Sequence, residues 1–149
     1  MGKSTQNTKT PTDFMEAVKD YFGIQFKYDM AASTDNAQAK YYYREEEDSL
    51  SIDWPVRDWC WLNPPFHNLT KWINKCKEQM DRGCRIVSIW PLSGDLNQIP
   101  VWQCSEVYVI HGRIWPLVRG CMVCIWDKEF SPKGVKGLRW ADGCLTWEW

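Results

Sequence analysis

Apolar residues recur along this chain at two spacings, and the switches between them mark out the elements. Phe14, Ala17, Val18 and Tyr21 stand at i, i+3, i+4 and i+7, one face of an amphipathic helix. Thr10 is placed to cap that helix and Pro11 to open it, with Asp13 three residues after the cap and Gly23 as the stop. Ile24 to Tyr28 alternates apolar and polar side chains, as a half-buried strand does. Residues 34–40 suit a short helix, and Tyr41-Tyr42-Tyr43 leads into an acidic loop at Glu45 to Asp48. Trp59 to Leu62 is a short apolar run of strand length. Leu69, Trp72, Ile73, Cys76 and Met80 form a second helical stripe, capped at Asn68 and stopped at Gly83. Arg85 to Trp90 predicts a buried strand closed by Pro91, and a loop rich in Gly, Pro, Asp and Asn follows from Leu92 to Pro100. Val107 to Ile110 and Cys121 to Trp126 are further strands, with a turn at His111-Gly112-Arg113. From Lys128 onward the chain reads as loop, with a last strand at Leu145 to Trp149. Helices and strands alternate early and strands dominate late, so the fold class is α/β, a mixed sheet with an antiparallel finish.

Length and composition narrow this further. A chain of 149 residues is one compact domain; residues 1–9 are polar and expected to be a flexible tail, leaving 10–149 as a single domain. The net charge of −1 argues against a generic polyanion binder. The charge is uneven, however: Glu45 to Asp58 is acidic, while Lys71 to Arg85 and Arg113 to Arg139 are net basic. The polar start shows no secretory leader and no apolar run reaches membrane-span length, so a cytoplasmic protein is expected. The seven cysteines are an odd number, several within apolar runs, and read as reduced thiols. Cys121 and Cys124 have metal-ligand spacing, but no second pair or histidine cluster accompanies them, and no metal site is expected. Most of the eleven tryptophans read as core.

The chemistry concentrates at Asn63-Pro64-Pro65-Phe66, between an apolar run and a helix. Neither proline can donate to a sheet ladder, and Pro64 holds Asn63 in an extended conformation. The result is a rigid ledge offering an amide oxygen, a backbone carbonyl and an aromatic face. Those groups suit the planar exocyclic amine of a nucleobase, whose hydrogens the two acceptors can take while the ring stacks. Upstream, Asp29 ends a strand and small residues, Met30-Ala31-Ala32-Ser33, follow it. An α/β sheet presents its ligand crevice at such a place.

Thr10-Pro11, then Asp29-Met30-Ala31-Ala32 with Asn36, then Asp48 with Asp53-Trp54, then Asn63-Pro64-Pro65-Phe66, resembles the phage DNA N-6-adenine-methyltransferases, the Dam-like family. Trp90-Pro91-Leu92, Gly112-Arg113-Ile114 and Val123 to Trp126 are similar to the family's later strands and turns, so the resemblance covers nearly all of the chain after residue 9. It implies a Rossmann-like S-adenosylmethionine-dependent methyltransferase fold without a separate target-recognition domain. It also implies S-adenosylmethionine as donor and double-stranded DNA as partner, with a homodimer as an option, in the cytoplasm of a host carrying the phage or prophage. Residue by residue, Asn63, Pro64, Pro65 and Phe66 would be catalytic, and Thr10, Pro11, Asp29, Ala31, Ala32, Asn36 and Asp48 would border the donor. The basic residues Arg113, Arg119, Lys133, Lys136 and Arg139 are the candidate DNA contacts, against the plainer reading of a solvated basic face. Ala31-Ala32-Ser33 stands where many methyltransferases carry a glycine-rich loop. Competing acceptors are an RNA base or a protein glutamine amide, and a catalytically dead DNA-binding anti-restriction relative is the non-enzyme reading.

Overall fold

The computed structural model describes residues 10–92, 100–114, 120–129 and 135–147, without the side chain of Phe66. Among the described residues, two α-helices lie on opposite faces of a single eight-stranded sheet. Helix α1 spans Thr12–Phe22 and α2 spans Leu69–Arg82. The strands are β1 Phe26–Asp29, β2 Tyr41–Tyr42, β3 Trp59–Leu62, β4 Arg85–Pro91, β5 Glu106–His111, β6 Cys121–Trp126, β7 Val135–Ala141 and β8 Cys144–Trp147. Their order across the sheet is β2-β1-β3-β4-β6-β5-β7-β8. The first four are mutually parallel, β6 is antiparallel to both β4 and β5, β7 is parallel to β5, and β8 turns back on β7.

Alternation along the strands divides the core in two. Phe14, Met15 and Val18 of α1 pack with Trp61, Val87, Ile89, Val123 and Ile125. Leu69, Trp72, Ile73, Cys76 and Met80 of α2 pack with Cys60, Leu62, Ile86, Trp90, Met122, Cys124 and Trp126. Strands covered on both faces become continuous apolar runs, and every residue of β6 is accordingly buried. Cys121 therefore faces α1 while Cys124 faces α2, so their spacing makes no metal clamp. One serine interrupts the apolar run of β4 for a reason. Ser88 Oγ accepts from Trp90 Nε1 at 2.6 Å and Trp126 Nε1 at 2.8 Å, and lies 3.3 Å from the Cys124 carbonyl as donor. Two buried indoles thus find their acceptor.

Several sequence expectations change. Pro11, not Thr10, holds the N-cap position of α1, with φ −58° and ψ 142°, and no side chain caps the helix. Tyr21 is partly exposed, and Met15 joins the buried face instead. Residues 34–40 form turns rather than a helix, and the tyrosine cluster supplies strand β2. Pro91 lies within β4, opposite Cys121, and Asn68 stands at the start of α2 without a side-chain cap bond. The tail beyond Lys128 contains β7 as well as β8, joined by a tight turn in which Asp142 and Gly143 both have positive φ, 53° and 75°. Such Asp-Gly pairs are a strong hairpin signal. Among the described tryptophans, Trp54, Trp61, Trp72, Trp90 and Trp126 are buried, whereas Trp102 and Trp147 are exposed. Among the described residues, no helix is long and apolar enough to cross a membrane.

Candidate active site

Strand β1 pairs with β2 on one side and β3 on the other, so the chain's direction of winding reverses between β1 and β3. A crevice opens beyond the carboxyl ends of strands at such a switch point. Here it is a cavity of about 940 Å³, bordered by residues 29–36, 43–46 and 48–50, by Thr10, and by Asn63, Pro65, His67, Asn68 and Trp72 around the end of β3 and the start of α2.

Asp29, the last residue of β1, is buried at 2% exposure. Its carboxylate accepts the backbone N–H groups of Ala31 at 3.2 Å and Gln38 at 2.9 Å, which curl the segment after the strand around it. Burial raises its pKa to about 7, against the opposing pull of those two hydrogen bonds. The Gln38 bond also explains why 34–40 does not become a helix, because that N–H is taken by a side chain instead. Asn36 turns back on the same loop, its Oδ1 accepting the Ser33 N–H at 2.6 Å. Tyr43 joins the wall by pairing its N–H with the Asp29 carbonyl and its carbonyl with the Ala32 N–H, both at 2.9 Å. Its phenol is pushed upward by burial, with Tyr28 and Cys60 nearby adding to the shift. Asp48 lines the acidic rim in a left-handed conformation, φ 46°. That backbone is uncommon for a residue other than glycine and most tolerable for Asp or Asn.

Asn63 follows β3 directly. Its Nδ2 donates to Thr10 Oγ1 at 3.1 Å, and Thr10 is almost fully buried. Among the described residues Oδ1 has no protein partner. Pro64 is buried, and Pro65, with φ −60° and ψ 136°, leads into the short 3-10 turn Phe66–Asn68. The side chain of Phe66 lies outside the described residues. The crevice therefore presents an oriented side-chain amide on one wall and a buried carboxyl on another, with acids and aromatic rings around them.

A family model described as DNA N-6-adenine-methyltransferase (Dam) matches residues 3–118. The chain belongs to this family. A DNA N-6-adenine-methyltransferase of Haemophilus phage HP1 is 36% identical over 59 residues, 40% of this chain. One of Escherichia phage T1 is 28% identical over 82 residues, 55% of this chain. Each alignment spans 34% of the relative's own length.

Within this Dam-family chain the sequence-derived donor candidates Thr10, Asp29, Ala31, Ala32, Asn36 and Asp48 all border one cavity with Asn63 and Pro65, whereas Pro11 does not. The DNA candidates scatter. Arg113 lies just past the end of β5 and Arg139 sits opposite His111 on β7, both exposed and toward the end of the sheet where the crevice opens. Lys136 sits near the opposite end of β7, its Nζ 3.1 Å from the buried Glu106 carboxylate and over the Tyr108 ring. Arg119, Lys133 and most of the 92–100 loop lie outside the described residues. Gln38, Tyr43, His67 and Trp72 escaped sequence reasoning as wall residues. Trp72 carried a helical-stripe signal that read as core, and Gln38 carried none.

Proposed function

We propose that this chain is an S-adenosylmethionine-dependent methyltransferase that modifies the N6 amine of adenine in double-stranded DNA, with a Rossmann-like core. It would act in the cytoplasm of a phage-bearing host, alone or as a homodimer. The observation that carries the reading is the amide of Asn63, held by Nδ2 with Oδ1 left for the crevice, across a single cavity from the buried carboxyl of Asp29. The strand-end position of the cavity, the relatives' printed names and the family membership support it.

The walls fit the donor. A cavity of about 940 Å³ is ample for a nucleoside bearing an amino acid. Asp29, Glu45, Glu46 and Asp48 supply negative charge for a cationic ligand, and Tyr43 and Trp72 supply aromatic faces. Ala31, Ala32 and Asn36 form the loop against which the donor would lie, and Thr10 borders it. When bound, the donor supplies a sulfonium methyl: the amine's lone pair forms the new N–C bond as C–S breaks, sulfur leaves as a thioether, and the surplus proton goes to solvent. The chain's part is positioning and electrostatics. An adenine amine is a weak nucleophile because its lone pair is delocalised into the ring. Asn63 Oδ1 and the Pro64 carbonyl would accept its two hydrogens, favouring a pyramidal nitrogen whose lone pair points at the methyl group. The adenine would have to leave the duplex, with Phe66 as its stacking face.

Purified protein offered labelled donor with duplex DNA, RNA or protein tests the reading, and label should enter DNA as N6-methyladenine. Asn63→Ala should lower turnover by roughly two to three orders of magnitude with donor binding intact, since it removes one preorganised contact to the amine. A mutant keeping more than about a tenth of wild-type turnover would exclude Asn63 from the mechanism.

A further inference from the structure

Hydrogen bonds join the two halves of the crevice through residues at its back. The Gln38 N–H donates to Asp29 Oδ2 at 2.9 Å, and the Gln38 side-chain Nε2 donates to the Thr10 carbonyl at 3.0 Å. Thr10 Oγ1 then accepts from Asn63 Nδ2 at 3.1 Å. Thr10 is 28 residues from Gln38 and 53 from Asn63 in sequence, so only the fold brings them together. Thr10 is 1% exposed, and its hydroxyl caps no helix. An amide side chain rotates readily about its last bond, and either of its ends can pair with a hydroxyl. In this arrangement Thr10 takes the nitrogen end, and Oδ1 remains for the crevice. The reverse rotamer would turn an N–H₂ toward the incoming amine, donor against donor.

From this we infer that Thr10, braced by Gln38, is a positioning residue for Asn63: by anchoring one end of the amide it keeps the side chain from swinging and leaves Oδ1 for the acceptor amine, rather than serving as a donor contact. The inference rests on the methyl-transfer reading above and deepens it. Thr10→Val keeps the side chain's shape and removes the hydroxyl. Thr10→Ser keeps the hydroxyl, and Gln38→Met removes the Nε2 brace while leaving the backbone bond to Asp29.

The test is steady-state methyl transfer to adenine-containing duplex DNA, with S-adenosylmethionine binding measured separately by calorimetry and folding checked by thermal melting. Thr10→Val should lower kcat about tenfold or more, as expected when a polar catalytic group is misplaced, while the donor Kd stays within about twofold. Thr10→Ser should restore most of the turnover, and Gln38→Met should lower kcat several-fold with the donor Kd again unchanged. If Thr10→Val does not fold, Gln38→Met decides by the same split between kcat and Kd. A folded Thr10→Val enzyme with wild-type kcat overturns the inference, as does one whose only defect is weaker donor binding. Wild-type protein that methylates no adenine in DNA removes the functional reading itself, and the positioning role with it. An active wild type with an indifferent Thr10→Val removes only the positioning role.

Discussion

Asp29 carries the sharpest residue-scale prediction, because its carboxyl combines burial with a place on the crevice wall proposed for the donor. Its pKa is raised by burial from 3.8 to about 7. A raised acid makes the fold most stable where the group is protonated in both states. Stability should therefore be greatest below about pH 4 as far as Asp29 is concerned, and should fall as pH rises to about 7. A cationic donor reverses the preference at the site by stabilising the carboxylate. Donor binding near pH 6 should then release a proton, and affinity should climb between about pH 5 and about pH 7 before levelling. Calorimetry in buffers of different ionisation enthalpy reads the released proton directly. Asp29→Asn should weaken donor binding and flatten that dependence, although it also loses one of two backbone hydrogen bonds. A pH-independent affinity in the wild type would mean that the donor's charge sits elsewhere.

At the scale of elements, glycine geometry separates two turns that look alike in sequence. Gly112, with φ 120°, follows β5, and a Cβ there would lie 2.4 Å from the Trp140 carbonyl oxygen on β7. Gly143 has φ 75°, but a Cβ would meet nothing within 4 Å. Gly143→Ala should therefore cost about 1 kcal/mol of backbone strain, whereas Gly112→Ala must also separate β5 from β7 and should cost well over twice as much. Equal losses in chemical denaturation would refute that contrast. Other elements show where the sequence is informative and where it stops. Strand β3 emerged with correct ends as an unbroken apolar run, and helix α2 with nearly correct ends as an unbroken helical stripe. Strand β7 did not, since Lys136, Gly137 and Arg139 break its pattern near the edge of the sheet, and the Asp142-Gly143 turn that joins it to β8 was passed over. In the site, Asp29 and Asn63 were legible as polar residues at strand ends. Gln38 and the true partner of Thr10 were not, because both depend on contacts that only the closed fold makes. The faces of β6 supply another check: chelators should leave activity and melting temperature unchanged, and a loss restored by zinc would contradict the opposed placement of Cys121 and Cys124.

For the whole molecule, sheet direction decides which basic residues lie at the crevice end, where the proposed function would bring DNA. β6 is antiparallel to both β4 and β5, and β7 is parallel to β5, so β5 and β7 run the same way as β1 and β3. Arg113, beyond the end of β5, and Arg139, late in β7, therefore lie toward the crevice end, and Lys136 toward the other. Lys136 is also tied to Glu106, a carboxylate at 3% exposure that the Tyr108 hydroxyl contacts too. Reversing the charge of Arg113 and Arg139 together should weaken duplex binding. The salt dependence should also become shallower by about 0.9 log units per lost phosphate contact for each tenfold rise in salt. Donor affinity should not change. Lys136→Ala should act differently, destabilising the fold because it removes a cation 3.1 Å from the buried Glu106 carboxylate, with the salt slope intact. Binding isotherms across a salt series, read beside denaturation curves, separate the two effects. If Lys136→Ala flattens the salt slope and the arginine pair does not, DNA crosses the opposite end of the sheet, and the approach to Asn63 would have to be redrawn from that side.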